Sequence, residues 1–293
     1  MKNFSIIGSE GYIARRHFEA IHRTKNNLVF TYDKIKNTEK KNIRPENHFT
    51  SFNRFKKAVI KFQKRKKMDY LVVCSPNYLH FSHIKLGLKL GCNVICEKPL
   101  VDSEKKINTL RQIERKYKKK VFCILQLRLH KVLSILRKKI KKNNNRVKLL
   151  YITPRDQNSL KSWKGEDSKS FGLLFNIGIH FIDLLIYLFG DVVNKNILIN
   201  KPSKIKGIFF FKNCVVNWFF SINQKDLPRK LLKKNNSSYR SIVCNSKKID
   251  FSSGFENLHI LSYKKILANK GFVIDDCVKS INLINDINNI KNK

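Results

Sequence analysis

The chain has 293 residues, enough for two domains that each bury a core, and 42% of its residues are hydrophobic. Its formal net charge of +40 is typical of nucleic-acid binders, but the lysines are spread over nearly every segment and no recognition helix or aromatic-rich binding motif is present. We therefore expect no nucleic-acid partner. The seven cysteines form no CxxC pair and mostly lie in apolar runs, so we expect a reducing, cytoplasmic environment.

The first 125 residues alternate between strand-like and helix-like segments. Strands are predicted at 3–7, 28–33, 69–75, 93–96 and 121–125, and helices at 11–23, 52–66, 78–90 and 103–118. This alternation indicates βαβ units and a parallel sheet covered on both faces. The predicted fold class is α/β, with a Rossmann-type doubly wound NAD-binding domain over residues 1–125.

The rhythm changes in the second part of the chain. Strands are predicted at 147–153, 196–200, 204–211, 214–223, 239–245 and 248–251, and helices at 130–142, 176–189, 257–268 and 275–290. Consecutive strands joined by short turns favour antiparallel pairing. Residues 126–293 are therefore predicted to form an α+β domain with an open, mainly antiparallel sheet, used for substrate binding and oligomerisation.

The turn after the first strand has the spacing of a dinucleotide-binding loop. Gly8, Gly11 and Ala14 stand where a sharp turn brings backbone N–H groups and a helix N-terminus to a pyrophosphate, although a plain strand-to-helix turn would look the same. Asp33 follows the second strand, 19 residues after Ala14. A carboxylate there accepts hydrogen bonds from ribose hydroxyls and repels a 2′-phosphate, so we expect NAD rather than NADP.

Two further strand ends carry polar residues. Ser75 and Asn77 follow the third strand, where they would line the ligand crevice of an open α/β sheet or simply cap a helix. The fourth strand, in the run NVICEKPL, ends in Glu97 and Lys98 ahead of Pro99. A charged pair at the carboxyl end of a strand indicates a functional site at that edge.

Together the segments GSEGYIA, CSPNYLH, CEKPL and NIGIHFID resemble the Gfo/Idh/MocA family of NAD(P)-dependent sugar dehydrogenases. Finer motifs, among them GYIAxRH, ILQLR, LKSWKG, KSFG and YRSI, resemble family members that act on a UDP-sugar acid. The resemblance implies NAD-dependent oxidation of the C3 hydroxyl of UDP-N-acetylglucosaminuronic acid in cell-surface (O-antigen) polysaccharide synthesis. It also implies a 2-oxo acid that recycles retained NADH, and a homo-oligomer, expected to be a tetramer.

The resemblance assigns Lys98 and His180 to catalysis at the substrate hydroxyl. Lysine has a reference pKa of ~10.4 and histidine ~6.5, so His180 is the easier base, and Lys98 orients and polarises the hydroxyl; the order of proton movement stays open. Asn176, His180 and Asp183 have the i, i+4, i+7 spacing of one helix face. Asp183 supports the imidazole or only makes a packing contact. Because all three are polar, we expect a buried helix and no membrane span.

The remaining predicted contacts follow from the family motifs. The cofactor-binding residues are predicted to be Gly8, Gly11, Tyr12, Ile13, Asp33, Ser75, Asn77, His80, Glu97, Lys98 and Gln126. The substrate-binding residues are predicted to be Arg128, Trp163, Lys164, Lys169, Asn176, Tyr239 and Arg240, because an anionic substrate needs cationic and aromatic partners. No metal is expected.

The chain also departs from the family pattern. Glu10 lies inside the pyrophosphate turn, where its carboxylate would repel phosphate unless it points away, and Arg15 is a possible counter-charge. Residues 155–158 are more polar than expected. Two alternative functions therefore stay open: a dehydrogenase of another sugar or a cyclitol, and an NAD-binding homologue that has lost activity.

Overall fold

The structure is a computed structural model that describes residues 1–35, 47–232, 238–251 and 253–290. Its strands in chain order are β1 (Asn3–Ile7), β2 (Asn27–Tyr32), β3 (His48–Phe49), β4 (Tyr70–Val73), β5 (Asn93–Cys96), β6 (Val121–Cys123), β7 (Asn145–Ile152), β8 (Val192–Lys201), β9 (Lys204–Phe211), β10 (Cys214–Ser221), β11 (Tyr239–Cys244) and β12 (Lys247–Asp250). Its α-helices are α1 (Ala14–Arg23), α2 (Phe52–Gln63), α3 (His80–Lys89), α4 (Glu104–Tyr117), α5 (Val132–Lys139), α6 (Gln157–Lys161), α7 (Asp167–Ser170), α8 (Ile179–Phe189), α9 (Arg229–Leu232), α10 (Leu258–Leu267) and α11 (Asp275–Ile290).

The chain divides into two compact units. Unit 1 comprises Met1–Leu125 and His259–Val278, and unit 2 comprises Gln126–Leu258 and the segment that begins at Lys279. The sequence analysis places 259–278 in the C-terminal domain, whereas the structure assigns this segment to unit 1.

Unit 1 contains a parallel sheet with the strand order β3-β2-β1-β4-β5-β6. All five neighbouring pairs run parallel, which confirms the Rossmann-type architecture. The helices approach the sheet closely: a Cβ on Gly87 of α3 would lie 2.6 Å from Val94 and 2.9 Å from Leu71. The strand order reverses between β1 and β4, which is where a sheet of this type opens a ligand crevice.

The segment 259–278 belongs to unit 1 because α10 covers one face of this sheet. Tyr263 and Ile266 lie in the same buried cluster as Phe4, Tyr70 and Phe122. The Tyr263 ring stacks on Phe4 with 5.8 Å between centroids. A chain fragment that ended at residue 125 would leave this apolar face exposed, which local sequence patterns do not reveal.

Unit 2 contains a mixed sheet with the order β12-β11-β7-β10-β9-β8. Every neighbouring pair is antiparallel except β7 and β10, so the prediction of a mainly antiparallel sheet is confirmed. Asn245 and Ser246, both with positive φ, form the two-residue turn between β11 and β12. The packed face of the sheet carries Phe209, Trp218 and Phe220: the Trp218 ring stacks on Phe220 and is tilted against Phe209.

The helix predicted at 176–189 differs from a regular α-helix at its start. Leu174–Gly178 forms a π-helical turn that leads directly into α8. The stretch Asp167–Phe189 is long and apolar enough to cross a membrane by length and composition, but just over half of its most apolar window is buried within the protein. A core helix passes the same test, and the buried Asp183 suits a core helix better than a lipid-facing one.

Candidate active site

The turn after β1 is built for close approach of the backbone. Gly8 has a φ of +82°, and a Cβ there would lie 2.5 Å from the backbone nitrogen of Ser75, so no other residue fits without displacing the end of β4. The Gly8 N–H donates to the Tyr32 carbonyl at 2.8 Å, and the Gly11 N–H donates to the Gly8 carbonyl at 3.3 Å. The two glycines therefore form a tight turn at the topological switch point, and α1 begins directly after it.

The carboxylate of Asp33 contacts the same turn. Its Oδ2 accepts the backbone N–H of Glu10 at 2.9 Å, and its Oδ1 accepts that of Ile35 at 3.3 Å. The side chain of Glu10 accepts the Ser9 hydroxyl at 3.3 Å. Of the other residues predicted here, Ile13 is half-buried and Tyr12 is 79% exposed. The structure therefore brings the β1 turn and the β2 carboxylate together, as a Rossmann cofactor site requires.

Two histidines hold the chain after β4. The Ser75 hydroxyl and His83 Nδ1 lie 2.8 Å apart, and burial, followed by the nearby His80, lowers the pKa of His83 to about 4. The two ring nitrogens of His80 contact the carbonyl oxygens of Pro99 and Ser75 at 2.7 and 2.8 Å. Burial lowers the pKa of His80, and these carbonyls oppose that shift. His80, predicted as a cofactor ligand, thus links the ends of β4 and β5, and Asn77 beside it is buried.

Glu97 and Lys98 have different environments at the end of β5. Within residues 94–101, Lys98 is the one residue that is not buried. The carboxylate of Glu97 points into unit 1, where its Oε1 contacts His17 Nε2 at 3.0 Å and His259 Nε2 at 2.9 Å, and its Oε2 accepts the Lys98 N–H at 3.3 Å. Glu97, predicted as a cofactor ligand, is therefore engaged by protein groups.

Burial alone would raise the pKa of Glu97. The hydrogen bonds from His17 and His259 outweigh burial and hold this pKa well below its usual range. Burial lowers the pKa of His17, although its hydrogen bond to Glu97 acts in the opposite direction. The carboxylate is therefore ionised and His17 is neutral near pH 7.

The polar residues of the second predicted site lie on the π-turn and α8 of unit 2. Within residues 174–185, Asn176 and His180 are the two that are not buried. Asp183 is buried and pairs with Arg128, which donates from Nη2 to Oδ1 at 2.7 Å and from Nε to Oδ2 at 3.0 Å. Arg128, which was predicted to bind the substrate, thus forms a bidentate pair with Asp183 in the structure.

The π-turn also changes the spacing argument. The predicted i, i+4, i+7 face assumes a regular α-helix, but the π-turn ends at Gly178, between Asn176 and His180. Local π-helical geometry is frequent at functional sites. Within residues 174–185, Asn176 and His180 are nevertheless the accessible positions in an otherwise buried segment.

The predicted substrate residues of unit 2 have aromatic and ionic neighbours. The guanidinium of Arg240 lies 5.2 Å from the Tyr151 ring and 4.7 Å from the Phe255 ring. Lys164 Nζ lies 6.0 Å from the Trp163 ring, and burial and the nearby Arg155 lower the pKa of Lys164. The remaining two are Tyr239, whose ring has Lys248 Nζ at 5.9 Å, and Lys169, which pairs with Glu166 at 2.7 Å.

The sequence analysis missed three residues around Glu97. His17, His259 and Tyr263 are buried, and the three atoms His17 Nε2, His259 Nε2 and a Glu97 oxygen lie within 4.8 Å of one another, close enough to hold a metal ion. His17 ends the motif GYIAxRH, which was a usable signal. His259 lies 162 positions from Glu97, and no local pattern indicates their contact.

Solved structures of dehydrogenases are similar to this chain over nearly its full length. The WlbA (WbpB) dehydrogenase of Thermus thermophilus, in complex with NAD and alpha-ketoglutarate, is 35% identical, with a TM-score of 0.88 and coverage of 96% of this chain and 93% of that one. Its complex with NAD and UDP-GlcNAcA is matched at 34% identity with the same TM-score. The WlbA dehydrogenase of Bordetella pertussis, with coverage of 97% and 93%, shares the fold at 16% identity and a TM-score of 0.72.

Two curated relatives are more distant in sequence and are named as sugar dehydrogenases. D-glucoside 3-dehydrogenase of Escherichia coli is 27% identical over 47% of this chain and 41% of its own length. Glucose-6-phosphate 3-dehydrogenase of Bacillus subtilis is 25% identical over 70% of this chain and 59% of its own length. The chain thus spans about half the length of these two relatives.

Family domains cover both units. Residues 2–124 match the NAD-binding Rossmann fold of the oxidoreductase family, and residues 143–209 match its C-terminal alpha/beta domain. The cofactor is NAD, in agreement with the turn at Gly8 and the carboxylate of Asp33. The chain belongs to the Gfo/Idh/MocA family of oxidoreductases.

Proposed function

We propose that this protein is an NAD-dependent dehydrogenase that oxidises the C3 hydroxyl of UDP-N-acetylglucosaminuronic acid to the 3-oxo sugar, in cell-surface polysaccharide synthesis. The observation that carries the proposal is the 34% identity, over 96% of the chain, to a Thermus thermophilus dehydrogenase crystallised with NAD and UDP-GlcNAcA. Two of the curated relatives are named 3-dehydrogenases, which supports the same position of attack on a different sugar.

The residues of the chain fit NAD. A Cβ would fill the close approach of Gly8 to Ser75, and the turn leads into α1, whose N-terminus favours an anionic phosphate. In unit 2, Oε1 of Gln126 is buried and has no hydrogen-bond partner among the residues that the structure describes, as expected for a group that meets a ligand. The bound cofactor would accept the hydride from the sugar carbon.

In this proposal Lys98 orients and polarises the substrate hydroxyl, and His180 takes its proton or relays it. Both are accessible positions in otherwise buried segments, which supports a role toward a ligand. We further propose that the cations Lys164, Lys169 and Arg240 contact the anionic groups of the substrate.

The test of the roles is steady-state kinetics of Lys98→Met and His180→Asn, with NADH followed by absorbance. Loss of a positioned acid–base group lowers kcat by about 10² to 10⁴-fold. Lys67→Met is the matched control, because it removes a lysine of the same unit whose side chain is 68% exposed. Wild-type turnover by Lys98→Met would remove Lys98 from the mechanism and favour a non-catalytic NAD-binding protein.

The test of the substrate is a panel of UDP-GlcNAcA, UDP-sugars without the carboxylate, glucose 6-phosphate and free glucosides. We expect reduction of NAD with UDP-GlcNAcA. Addition of alpha-ketoglutarate, which is present with NAD in the Thermus thermophilus complex, should accelerate turnover by reoxidising NADH to NAD while it is reduced to the 2-hydroxy acid. Activity with glucose 6-phosphate or a glucoside, and none with UDP-GlcNAcA, would favour the second candidate, a dehydrogenase of another sugar. The names of two curated relatives support this candidate.

We also propose a cytoplasmic homo-oligomer, with a tetramer expected. The structure describes all seven cysteines; each is buried and none forms a disulfide, as in proteins of reducing compartments. Along β9 the burial alternates, so Ile208 and Phe210 lie partly exposed opposite the packed face. A second copy of the chain is the proposed partner for this surface. Sedimentation velocity should show a tetramer, and Phe210→Lys should reduce it to smaller species.

A further inference from the structure

Unit 1 contains a buried network of hydrogen-bonded polar side chains that the proposed chemistry does not use directly. Tyr263 Oη lies 2.8 Å from His17 Nδ1, His17 Nε2 lies 3.0 Å from Glu97 Oε1, and His259 Nε2 lies 2.9 Å from the same oxygen. The side chain of His17 is fully buried, and those of His259 and Glu97 are 5% and 7% exposed. Four polar side chains without access to water must satisfy one another.

The direction of each hydrogen bond follows from the carboxylate. An ionised carboxylate only accepts, so the Nε2 atoms of His17 and His259 must both carry hydrogen. His17 is neutral, so its Nδ1 is an acceptor, and Tyr263 must donate its hydroxyl hydrogen to it. Burial raises the pKa of Tyr263 well above its usual range, which keeps that hydrogen in place. The network therefore has one consistent pattern of donors: Tyr263 donates to His17, and both histidines donate to Glu97.

These three donors and their acceptor, Glu97, come from three separate parts of unit 1. His17 lies on α1, the helix that follows the Gly8 turn; Glu97 follows β5; and His259 and Tyr263 lie on α10. The second carboxylate oxygen of Glu97 accepts the backbone N–H of Lys98. Fixing the carboxylate therefore fixes the backbone that carries the Lys98 side chain.

The two imidazoles and the carboxylate at the centre of this network also resemble a metal-binding set. Ligation would require both Nε2 atoms to lose their hydrogens. Without an ion, each of these hydrogens already has the Glu97 oxygen as acceptor at 2.9–3.0 Å. The hydrogen-bonded arrangement therefore accounts for the geometry, and a bound metal becomes an outcome of the test.

We propose that His17, His259 and Tyr263 are positioning residues that hold the carboxylate of Glu97 and, through it, the backbone of the catalytic Lys98. This inference rests on the proposed function for the role of Lys98. It assigns a task to the C-terminal segment 259–278: α10 both covers the parallel sheet and supplies two of the three residues that orient the end of β5.

The kinetic test compares His259→Leu with His259→Gln. Leucine removes the donor to Glu97, while the glutamine amide places an N–H near the position of Nε2. We expect kcat to fall about 10²-fold in His259→Leu, because displacement of a reacting group by about 1 Å has this effect, with KM for NAD changed by less than about threefold. His259→Gln should retain kcat within about tenfold of wild type. Equal losses in both variants, or none in either, would overturn the proposal.

Tyr263→Phe keeps the ring stacked on Phe4 and removes one hydrogen bond, so it is a milder variant if His259→Leu fails to fold. We expect a smaller loss of kcat than in His259→Leu, again without a matching change in KM for NAD. The acid limb of the kcat/KM profile should move to higher pH in His259→Leu, since a carboxylate with fewer donors binds a proton more readily. The other titratable groups that influence this site are His80, Cys74, Cys96 and Cys277, and none of them is changed in these variants.

A substrate-independent readout separates this inference from the proposed function. Nitrogen-15 NMR of the histidine rings in the apoprotein should show His17 as the neutral Nε2–H tautomer, unchanged between about pH 8 and pH 6. This result is expected even if UDP-GlcNAcA is not the substrate. An Nδ1–H tautomer of His17, or a stoichiometric transition metal found by elemental analysis of the purified protein, would contradict the network.

Discussion

Glu97 in unit 1 and Asp183 in unit 2 are both buried carboxylates, and the protein stabilises them in opposite ways. Asp183 receives two hydrogen bonds from one guanidinium, so its charge is neutralised by Arg128. Glu97 receives hydrogen bonds from two imidazoles, of which His17 is neutral, and from a backbone N–H. Asp183 depends on one counter-charge, so the loss of Arg128 should be costly. Glu97 is stabilised by several hydrogen-bond donors, so the loss of one should cost less, and its negative charge remains beside Lys98.

The largest expected effect is the loss of the counter-charge in unit 2. Arg128→Met keeps apolar contact with the Tyr187 ring, 4.8 Å from the guanidinium, but removes the positive charge that pairs with the buried Asp183. We expect the free energy of unfolding to fall by about 3–5 kcal/mol, as for other broken buried pairs. Urea unfolding measures it. The double variant Arg128→Met/Asp183→Leu should recover most of the loss; no recovery would mean that the charge is not the cause.

The matching change in unit 1 should cost less. His259→Leu removes one donor from Glu97, which keeps His17 and the Lys98 N–H. We expect a loss of about 1–3 kcal/mol in the free energy of unfolding, and a smaller one in His259→Gln. If His259→Leu proves more destabilising than Arg128→Met under the same urea conditions, the idea that several donors share the task fails.

Acid should weaken unit 1 through its neutral imidazoles. The pKa of His83 is about 4 in the folded protein, because of burial and the nearby His80, and about 6.5 when unfolded. The unfolded state binds more protons between these two pKa values. The contribution of His83 to the free energy of unfolding is therefore fully present above about pH 6.5 and falls as the pH approaches 4. From pH 7.5 to 5, His83 alone should account for about 2 kcal/mol.

His83→Asn is the control for this pH dependence, since its amide can still contact the Ser75 hydroxyl but does not titrate. Between pH 7.5 and 5, the free energy of unfolding of this variant should fall by about 2 kcal/mol less than that of wild type. Equal slopes for the two proteins in urea unfolding would show that His83 is not the group responsible.

The smallest effect is expected at an exposed carboxylate. Glu166 pairs with Lys169 at 2.7 Å, but the two side chains are 48% and 40% exposed. Lys169→Ala should change the free energy of unfolding by less than about 0.5 kcal/mol. If Lys169 contacts the substrate as proposed, KM for UDP-GlcNAcA rises at unchanged stability; an unchanged KM would remove it from the substrate site.

Local patterns predicted much of the fold. The bounds of β1, β5, β9 and α11 agree with the predicted ranges 3–7, 93–96, 204–211 and 275–290. Alternating and periodic apolar residues define such segments, because each residue's position relative to its near neighbours decides which face is buried. The Gly8 turn and its contact with the β2 carboxylate were predictable for the same reason, since the spacing from strand to helix is short.

Patterns of this kind miss contacts made across long separations. The parallel pairing of β7 with β10 and the π-turn before α8 depend on packing within unit 2. The side-chain direction of Glu97 depends on residues far along the chain. In sequence, this glutamate and the lysine beside it look like one charged pair at a site, yet their side chains occupy different environments.

The sequence by itself determined the parallel sheet and the dinucleotide turn, and it predicted Lys98 and His180 as site residues, because each of these rests on the order of neighbouring residues. Only the tertiary structure decided that α10 joins unit 1 and that Glu97 turns inward to His17 and His259. The physical reason is that a buried carboxylate takes its partners from whichever elements packing brings within hydrogen-bond distance, and packing of distant segments leaves no periodic trace in the chain.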